Sequence, residues 1–292
     1  MLSRVVDGWI GTRRPRDPLE PMGNSGLIGA VVVTGGSEGI GFEIARCFAE
    51  RGHHVVLVAR TAHRLERAVA KLREDAPNCA VSACPLDVTA EQSAKTLADW
   101  LEAHGLFCDV LVNNAAIGVS GTFERTEPGE LERLLHLNVV ALTRLSHAVL
   151  PAMLERQCGG ILNVASFGGL PPGPFQAAYY ASKAYVISLT EALAWETRGR
   201  GVRIAVSAPG PVETRFHAKM SAETALYRKI LPGMTARRVA RSAVQGFVWG
   251  RTGIVPGVVF PTMGLALRIL PRKLQAAATG LLLKPRGART DA

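Results

Sequence analysis

The sequence predicts an α/β protein with a doubly wound parallel β-sheet, and three observations lead to this fold class. From residue 30 onward, short β-branched runs alternate with longer stretches of helical period, which is typical of βαβ units. Runs such as VVLVA, and the VLV within DVLVN, are continuously apolar, so the sheet should be covered by helices on both faces. Right-handed crossovers between such strands produce the doubly wound arrangement.

About seven strands are predicted, with helices between them. The chain has 292 residues, of which 48% are hydrophobic, and this is enough for one large domain with a buried core. The expected strands are Ala30 to Thr34, His54 to Ala59, Ala80 to Cys84, Val110 to Asn113, Gly160 to Ala165, Val202 to Ser207 and Gly253 to Pro256.

The first strand runs into a glycine-rich loop that precedes a helical pattern. Glycines allow the backbone to turn tightly and to approach a pyrophosphate, which the amides and dipole of a helix N-terminus favour. The loop reads Thr34, Gly35, Gly36, Ser37, Glu38, Gly39, Ile40 and Gly41. Its TGxxxGxG spacing resembles that of the classical short-chain dehydrogenases/reductases, and differs from the GxGxxG of other dinucleotide-binding enzymes.

Further elements of that family's pattern follow in order. Taken singly, each has a simpler interpretation as a turn former or a surface pair. Their joint occurrence identifies the chain as resembling this family. Ala116 stands where the family has glycine, and this small difference should have little effect on the resemblance. The matching elements are Asp87 and Val88, the stretch Asn113, Asn114, Ala115 and Ala116, then Asn138, Ser166, Tyr179 with Lys183, and Pro209, Gly210 and Thr214.

Helical register selects one tyrosine as the candidate acid/base. Lys183 follows Tyr179 at i+4 on the same helical face, and Tyr179 lies 13 residues after Ser166, the family interval. Tyr180 points about 100° away, and Tyr185 has no such lysine. A phenol with a pKa of about 10 is a poor base at neutral pH, so a neighbouring cation is needed to favour the phenolate.

The resemblance implies a Rossmann-fold oxidoreductase that moves a hydride between a nicotinamide cofactor and a carbonyl or alcohol. In such an enzyme, Ser166 hydrogen-bonds the substrate oxygen and Tyr179 gives or takes the proton of that oxygen. Lys183 lowers the tyrosine pKa and binds the ribose, and Asn138 positions a water. The residues implied to bind the cofactor are Thr34, Gly35, Ser37, Glu38, Gly39, Ile40, Gly41, Arg60, Asp87, Val88, Asn114, Ala115, Tyr179, Lys183, Pro209, Gly210, Val212 and Thr214. A non-catalytic NADP-binding sensor is the alternative, but a sensor needs no proton donor.

NADP(H) is expected to be favoured over NAD(H). The second strand ends at Arg60, about twenty residues after the glycine loop, where an NAD enzyme would place an acid for the ribose 2′-hydroxyl. Arg60 can pair instead with a 2′-phosphate. Glu38, inside the loop, is the one feature that opposes this preference.

A small hydrophobic carbonyl or alcohol substrate is expected, because the two segments that should wall the pocket are mostly apolar. The first contains Phe167, Leu170, Pro171, Pro172 and Phe175, and the second contains Phe216, Met220, Leu226, Tyr227, Ile230, Leu231 and Met234. Acyl, steroid, polyketide and other lipid-like carbonyls all fit, and a homo-oligomer is expected.

Three regions are predicted along the chain. Residues 1–28 are rich in Arg and Pro without an apolar period, so we expect a flexible N-terminal appendage. Residues 29–260 should form the catalytic domain. Residues 261–292 form a basic, apolar C-terminal tail whose leucines either lie on an anionic membrane or pack on the core or a partner subunit.

The net charge of +10 comes from the C-terminal end. Residues 1–224 hold 22 basic and 23 acidic side chains, whereas residues 225–292 hold 12 and 1. This asymmetry indicates either contact with an anion, such as a phosphorylated cofactor, an acyl carrier or a lipid surface, or a solubilising tail. No recognition motif accompanies it, so nucleic acid is not expected as a partner.

The cysteines and histidines suggest neither disulfides nor a metal site. The five cysteines are Cys47, Cys79, Cys84, Cys108 and Cys158. Their odd number and the absence of paired spacing favour a reducing, cytoplasmic compartment. Peripheral membrane association is left open. His53 and His54 are predicted to be solvated turn residues. Pro256 and Pro261 interrupt the longest apolar candidate considered, so a membrane-spanning helix is not expected.

Overall fold

A parallel seven-stranded sheet forms the centre of the computed structural model, which describes residues 26–214, 216, 220 and 233–284. Its strand order is β3-β2-β1-β4-β5-β6-β9, and every neighbouring pair is parallel. A second sheet pairs β7 with β8. The bounds are β1 Ile28–Thr34, β2 His54–Ala59, β3 Val81–Pro85, β4 Leu106–Asn113, β5 Gly160–Val164, β6 Arg203–Ser207, β7 Val212–Glu213, β8 Met234–Thr235 and β9 Gly253–Ile254.

Helices cover both faces of the sheet, which confirms the predicted doubly wound fold. Val31 and Val33 pack with Phe48 of α1 and Phe247 of α7 on one face. Val32 packs with residues of α3 and α5 on the other face. The bounds are α1 Gly39–Ala49, α2 Ala62–Asp75, α3 Ser93–Ala103, α4 Pro128–Leu135, α5 Leu142–Arg156, α6 Ala177–Glu196, α7 Ala236–Val248, α8 Val259–Ile269 and α9 Arg272–Leu283.

The strand bounds differ from the predicted ones mainly at β4 and β9. β4 begins at Leu106, four residues before the predicted start, and it pairs with β1 through an irregularity at Ala30 and Val31. The pairing skips Asp109 there, and this polar residue interrupts the apolar run on which the sequence prediction depended. β9 ends at Ile254, before Pro256, which has no N–H to donate to a neighbouring strand.

The two adjacent histidines differ from the expectation of solvated turn residues. His54 is the first residue of β2, and its Nε2 lies 3.0 Å from Ser82 Oγ on β3. Burial lowers the pKa of His54 below its ordinary value. The His53 ring packs edge-on against Phe48 with centroids 5.3 Å apart. Both side chains are therefore half-buried at the amino end of β2, and the prediction was wrong about their environment.

A continuous helical stretch over Pro128–Arg156 is long and apolar enough, by length and composition, to cross a membrane. The sequence prediction did not consider this stretch. Its α5 portion packs Leu145 and Met153 against the sheet, as core helices of globular proteins also do. This finding is weak evidence for a membrane span.

The described part of the C-terminal stretch, which ends at Lys284, forms α8 and α9. The predicted domain boundary at residue 260 falls inside α8, whose Phe260 is buried. Part of the basic excess is neutralised within the fold, because Arg237 of α7 lies 3.4 Å from Glu43 and 2.8 Å from Glu50 on α1. The cations that remain available to an anionic partner are fewer than the sequence count indicates.

Candidate active site

The glycine-rich loop lies at the carboxyl end of β1 and is tied to the end of β4. Thr34 Oγ1 accepts hydrogen bonds from the backbone N–H of Asn114 at 3.0 Å and of Ala115 at 3.1 Å. The Asn114 side-chain amide donates in return to the carbonyls of Thr34 and Gly35. Thr34 is buried and does not line the cavity, so it shapes the loop.

Two glycines of the loop occupy places where a side chain would not fit. Gly35 has a φ of +63°, and an added Cβ would lie 2.9 Å from Asn114 Nδ2. At Gly41, inside α1, an added Cβ would overlap the Asn114 amide and the carbonyl of Gly35. The loop is therefore held close to β4, and the N-terminus of α1, where the first amides have no partner within the helix, lines the cavity.

A cavity of about 1520 Å³ runs along this edge of the sheet. Ligand pockets usually measure about 300–1,000 Å³, so this one has room for a dinucleotide and a substrate together. Of the predicted site residues it is lined by Gly35, Ser37, Glu38, Gly39, Ile40, Arg60, Asp87, Val88, Asn114, Ala115, Ser166, Tyr179, Lys183, Pro209, Gly210, Val212 and Thr214. Thr34, Gly41 and Asn138 lie behind it.

Asp87 and Arg60 lie at the end of the cavity beside β2 and β3. The Asp87 carboxylate accepts from the Thr89 backbone at 2.9 Å and from its hydroxyl at 2.7 Å. Partial burial raises the pKa of Asp87, but the Thr89 hydrogen bonds and the Arg60 charge outweigh it, so the pKa is lowered overall. Arg60 Nη1 lies 3.9 Å from Asp87 Oδ2 and the side chain is 72% exposed, so its guanidinium remains accessible.

Three more cations of α2 line the same end: Arg64, Arg67 and Lys71. Sequence reasoning missed them, although Arg64 follows Arg60 by four residues. Of the nearby acids, Glu43 is paired with Arg46 at 3.2 Å and with Arg237 at 3.4 Å. This end of the cavity is therefore suited to an additional phosphate.

Tyr179, Lys183 and Ser166, the three groups expected to carry the chemistry, line the other end of the same cavity. Lys183 Nζ donates to the Val164 carbonyl at 3.0 Å and lies 5.8 Å from the centre of the Tyr179 ring. Ser166 follows β5 and its Oγ accepts from the Gly168 N–H at 3.1 Å. Burial lowers the pKa of Lys183 to about 8. Tyr185, by contrast, is exposed and lies 3.0 Å from Thr143 through its hydroxyl.

Asn138 lies in a π-helical turn, His136–Ala141, between α4 and α5. Its Nδ2 donates to the Ile117 carbonyl at 2.8 Å and to Ser182 Oγ at 3.1 Å, while its Oδ1 accepts from the Ile117 N–H at 3.0 Å. Ser182 Oγ then donates to the Tyr179 carbonyl at 2.7 Å. The structure thus presents Asn138 as a positioning residue, and the water implied by the resemblance stays a prediction.

The loop after β6 closes the cavity. The Pro209 carbonyl accepts from the Phe167 N–H at 2.8 Å, so this loop is tied to the one that carries Ser166. Gly210 faces the Phe260 ring so closely that an added Cβ would overlap it. Thr214 approaches Gly39 of the glycine-rich loop, which brings the two loops together across the cavity.

The predicted substrate walls are correct in part. Phe167, Pro171, Phe216 and Met220 line the cavity. The other described residues do not line it: Leu170 and Met234 pack in the cluster around Phe260, Phe175 packs against Leu283, and Pro172 accepts a hydrogen bond from Thr279 through its carbonyl. Leu226, Tyr227, Ile230 and Leu231 lie outside the described residues.

The C-terminal helices supply walls that the sequence prediction did not assign. Their inner faces contribute Phe260, Met263, Leu267, Gln275, Ala278, Thr279, Leu282 and Leu283 to the cavity lining. The signal was the leucine-rich tail, for which core packing was one of the two alternatives.

Among the described residues, no group of three His, Cys, Asp or Glu side chains could hold a metal ion.

This geometry agrees with the comparison to known families. The model of the family described as short chain dehydrogenase matches residues 29–225, about two thirds of the chain. The chain belongs to the short-chain dehydrogenase/reductase family. As a short-chain dehydrogenase/reductase, it is an oxidoreductase acting on CH–OH or ketone groups.

Relatives of this short-chain dehydrogenase/reductase include a ketoacyl reductase, HetN, of Nostoc sp., 32% identical over 222 residues and covering 76% of both chains. Dehydrogenase/reductase SDR family member 4 of Mus musculus is 30% identical over 246 residues, covering 82% of this chain and 86% of its own.

Two solved structures share the fold. A short-chain dehydrogenase from Sphingobium yanoikuyae in complex with NADPH has a TM-score of 0.72 and 30% identity, covering 90% of this chain and 98% of its own. A bulky-bulky ketone specific alcohol dehydrogenase from Comamonas testosteroni has a TM-score of 0.69 and 27% identity, covering 89% and 95%.

Proposed function

We propose that this enzyme interconverts a ketone and a secondary alcohol on a hydrophobic substrate, using NADP(H). The observation that carries the proposal is the buried Lys183 cation, held 5.8 Å from the Tyr179 ring beside Ser166 in one cavity. A pocket that only sensed a nucleotide would not need a phenol, a hydroxyl and a buried ammonium at its far end.

The residues present can supply the proton chemistry. When bound, the cofactor gives a hydride to the carbonyl carbon or takes one from the alcohol carbon. Ser166 Oγ accepts from Gly168, and a hydroxyl can accept and still donate its hydrogen to the substrate oxygen. In reduction, the Tyr179 O–H gives its proton to that oxygen and becomes phenolate. In oxidation, the phenolate takes the proton back, and the Lys183 charge stabilises the anion.

NADP(H) is favoured because the adenosine end of the cavity is rich in guanidinium groups. Arg60 is exposed and lies 3.9 Å from Asp87, and Arg64 follows in the first turn of α2. Guanidinium groups bind phosphate in bidentate geometry. The relative from Sphingobium yanoikuyae was solved with NADPH, which supports the same assignment.

A hydrophobic substrate is favoured by the walls at the Tyr179 end. Apolar side chains come from three separate segments: Phe167 and Pro171, Phe216 and Met220, and Phe260 with Leu282 and Leu283. One relative is named for ketoacyl reduction and another for bulky ketones. We therefore place acyl, steroid or polyketide-like carbonyls ahead of small polar ones.

The test is oxidation of NADPH and of NADH with a panel of ketones graded in size and polarity, from acetone to aryl alkyl ketones, steroid ketones and 3-oxoacyl thioesters. We expect turnover with NADPH, and a kcat/KM at least about tenfold higher for bulky apolar ketones than for acetone. Tight NADPH binding without turnover on any ketone would support the sensor instead. Preference for small polar ketones would contradict the substrate assignment.

We further propose a cytoplasmic homo-oligomer. All five cysteines are free thiols, which suits a reducing compartment. Apolar side chains exposed on the α4 to α6 side of the molecule, namely Leu135, Val140, Tyr185 and Trp195, suit contact between copies. Light scattering of the purified protein gives the mass that tests this.

A further inference from the structure

The outer faces of α8 and α9 are apolar and exposed. Leu265 and Ile269 are 63% and 84% exposed on α8, and Leu281 is 71% exposed on α9. Helical geometry places Leu265 and Ile269 on one face, opposite the buried Phe260 and the inward-facing Leu267. The surface, here called the C-terminal face, consists of Val258, Leu265, Ile269, Leu270, Leu274 and Leu281.

These helices are firmly attached to the enzyme, so the exposure does not come from a detached tail. The buried Gln275 donates from Nε2 to the carbonyls of Leu267 at 2.7 Å and Leu270 at 2.8 Å, which joins α9 to the end of α8. Thr279 Oγ1 donates to the Pro172 carbonyl at 2.6 Å. The inner faces of both helices line the catalytic cavity, and their outer faces therefore point away from it.

The charged residues of the segment that forms the C-terminal face are all positive. Arg272 and Lys273 lie at the start of α9, and Lys284 follows its end. No Asp or Glu occurs in the sequence between Glu223 and Asp291. A second copy seated symmetrically on this face would place these cations against one another with no local acid to offset them.

We propose that the C-terminal face docks on an anionic lipid bilayer, with its leucine and isoleucine side chains in the acyl boundary and its cations at the headgroups. An apolar helix face flanked by Lys and Arg is the pattern of interfacial helices. Anionic lipids supply the charge that a second copy lacks. Under the proposed function, docking brings the mouth of an apolar cavity next to the phase where lipid-like ketones concentrate.

The test is co-sedimentation of the full chain with phosphatidylcholine vesicles, with and without phosphatidylserine, at low and high salt. The wild type should pellet with the anionic vesicles at low salt and be largely released at high salt. Leu265→Glu combined with Ile269→Glu should weaken partition at least about tenfold, because it places two carboxylates on the membrane side.

Trp249→Glu is the matched control. Trp249 is 59% exposed, and it precedes β9 at the amino end of the parallel sheet, opposite the cofactor edge. It should bind vesicles as the wild type does. The rate of NADPH oxidation with a water-soluble ketone should be the same in the wild type, the double variant and Trp249→Glu. Equal rates show that the variants are folded and separate this test from that of the proposed function.

Three results would overturn the proposal: no sedimentation of the wild type, equal binding to neutral and anionic vesicles, or equal loss in the control. A wild-type oligomer that the double variant alone dissociates, measured by light scattering, would instead make the C-terminal face an interface between copies. Vesicle binding by a protein without ketone reductase activity would leave docking intact and contradict the proposed function.

Discussion

The Lys183 ammonium donates a hydrogen bond to the Val164 carbonyl, with 3.0 Å between Nζ and the oxygen. Val164 ends β5, and Lys183 is on the buried face of α6, together with Val186 and Thr190. The sheet therefore fixes where the cation lies, and Tyr179, one helical turn earlier, is brought within its field. Because the nitrogen is buried, its charge is costly, and this cost is measurable.

The first prediction concerns pH and stability. Burial lowers the pKa of Lys183 to about 8 in the folded enzyme, from an ordinary value of 10.5. Between these values the unfolded chain binds a proton that the folded enzyme does not, so this group makes stability rise as pH increases. The free energy of unfolding of the wild type, relative to Lys183→Met, should therefore increase from pH 7 to pH 10. Urea titrations of the cofactor-free proteins measure it.

The exposed Lys95→Met serves as the control for a surface lysine. A difference between the wild type and Lys183→Met that is constant with pH would contradict the buried-cation account.

The second prediction concerns Asn138. Asn138→Ala leaves the Ile117 N–H and carbonyl and the Ser182 hydroxyl without their bonds to Asn138 in a buried site. Each buried group left without its hydrogen bond costs about 1–3 kcal/mol of folding stability, so the melting temperature should fall by several degrees. Because Ser182 links this turn to the Tyr179 backbone, kcat should fall more than KM for NADPH rises. The control is Asn78→Ala, at an exposed turn, which should change neither the melting temperature nor kcat. An unaltered kcat in a destabilised Asn138→Ala would limit the role of Asn138 to folding.

The third prediction concerns cofactor choice. Arg60→Asp and Arg64→Asp should each lower kcat/KM for NADPH at least about tenfold, while that for NADH changes by less than about threefold, because only NADPH carries the 2′-phosphate. Steady-state kinetics with both cofactors measure the ratio. Arg125→Asp, at an exposed arginine that does not line the cavity, is the control. An unaltered ratio in both variants would remove these arginines from the phosphate site.

The fold and the central residues were predictable because they depend on local pattern. Strand β2 was predicted to the residue, since a buried parallel strand is apolar throughout. Tyr179 and Lys183 were selected by the family pattern together with their i, i+4 helical spacing. Gly35 and Gly41 were identified by the glycine spacing of the loop, and in the structure an added side chain at either position would collide with Asn114.

The rest depends on contacts between distant parts of the chain. Asn138 was expected to position a water, but its hydrogen bonds to Ile117 and Ser182, which hold it behind the cavity lining, join distant parts of the chain and could not be predicted. The leucines of the tail divide between two environments: Leu283 packs on Tyr180, whereas Leu281 faces outward. Composition is the same in both cases, so only the tertiary structure separates them.

The most direct test of the account is the rate of ketone reduction by Tyr179→Phe. The variant loses the proton donor and keeps the ring that packs 5.7 Å from Phe216, so NADPH affinity should survive, as measured by fluorescence titration. Tyr185→Phe, remote from the cavity, should act as the wild type. We predict a kcat lower by about 10² to 10⁴-fold in Tyr179→Phe, the usual effect of a general acid/base, whereas a kcat within about threefold of the wild type would contradict the central claim.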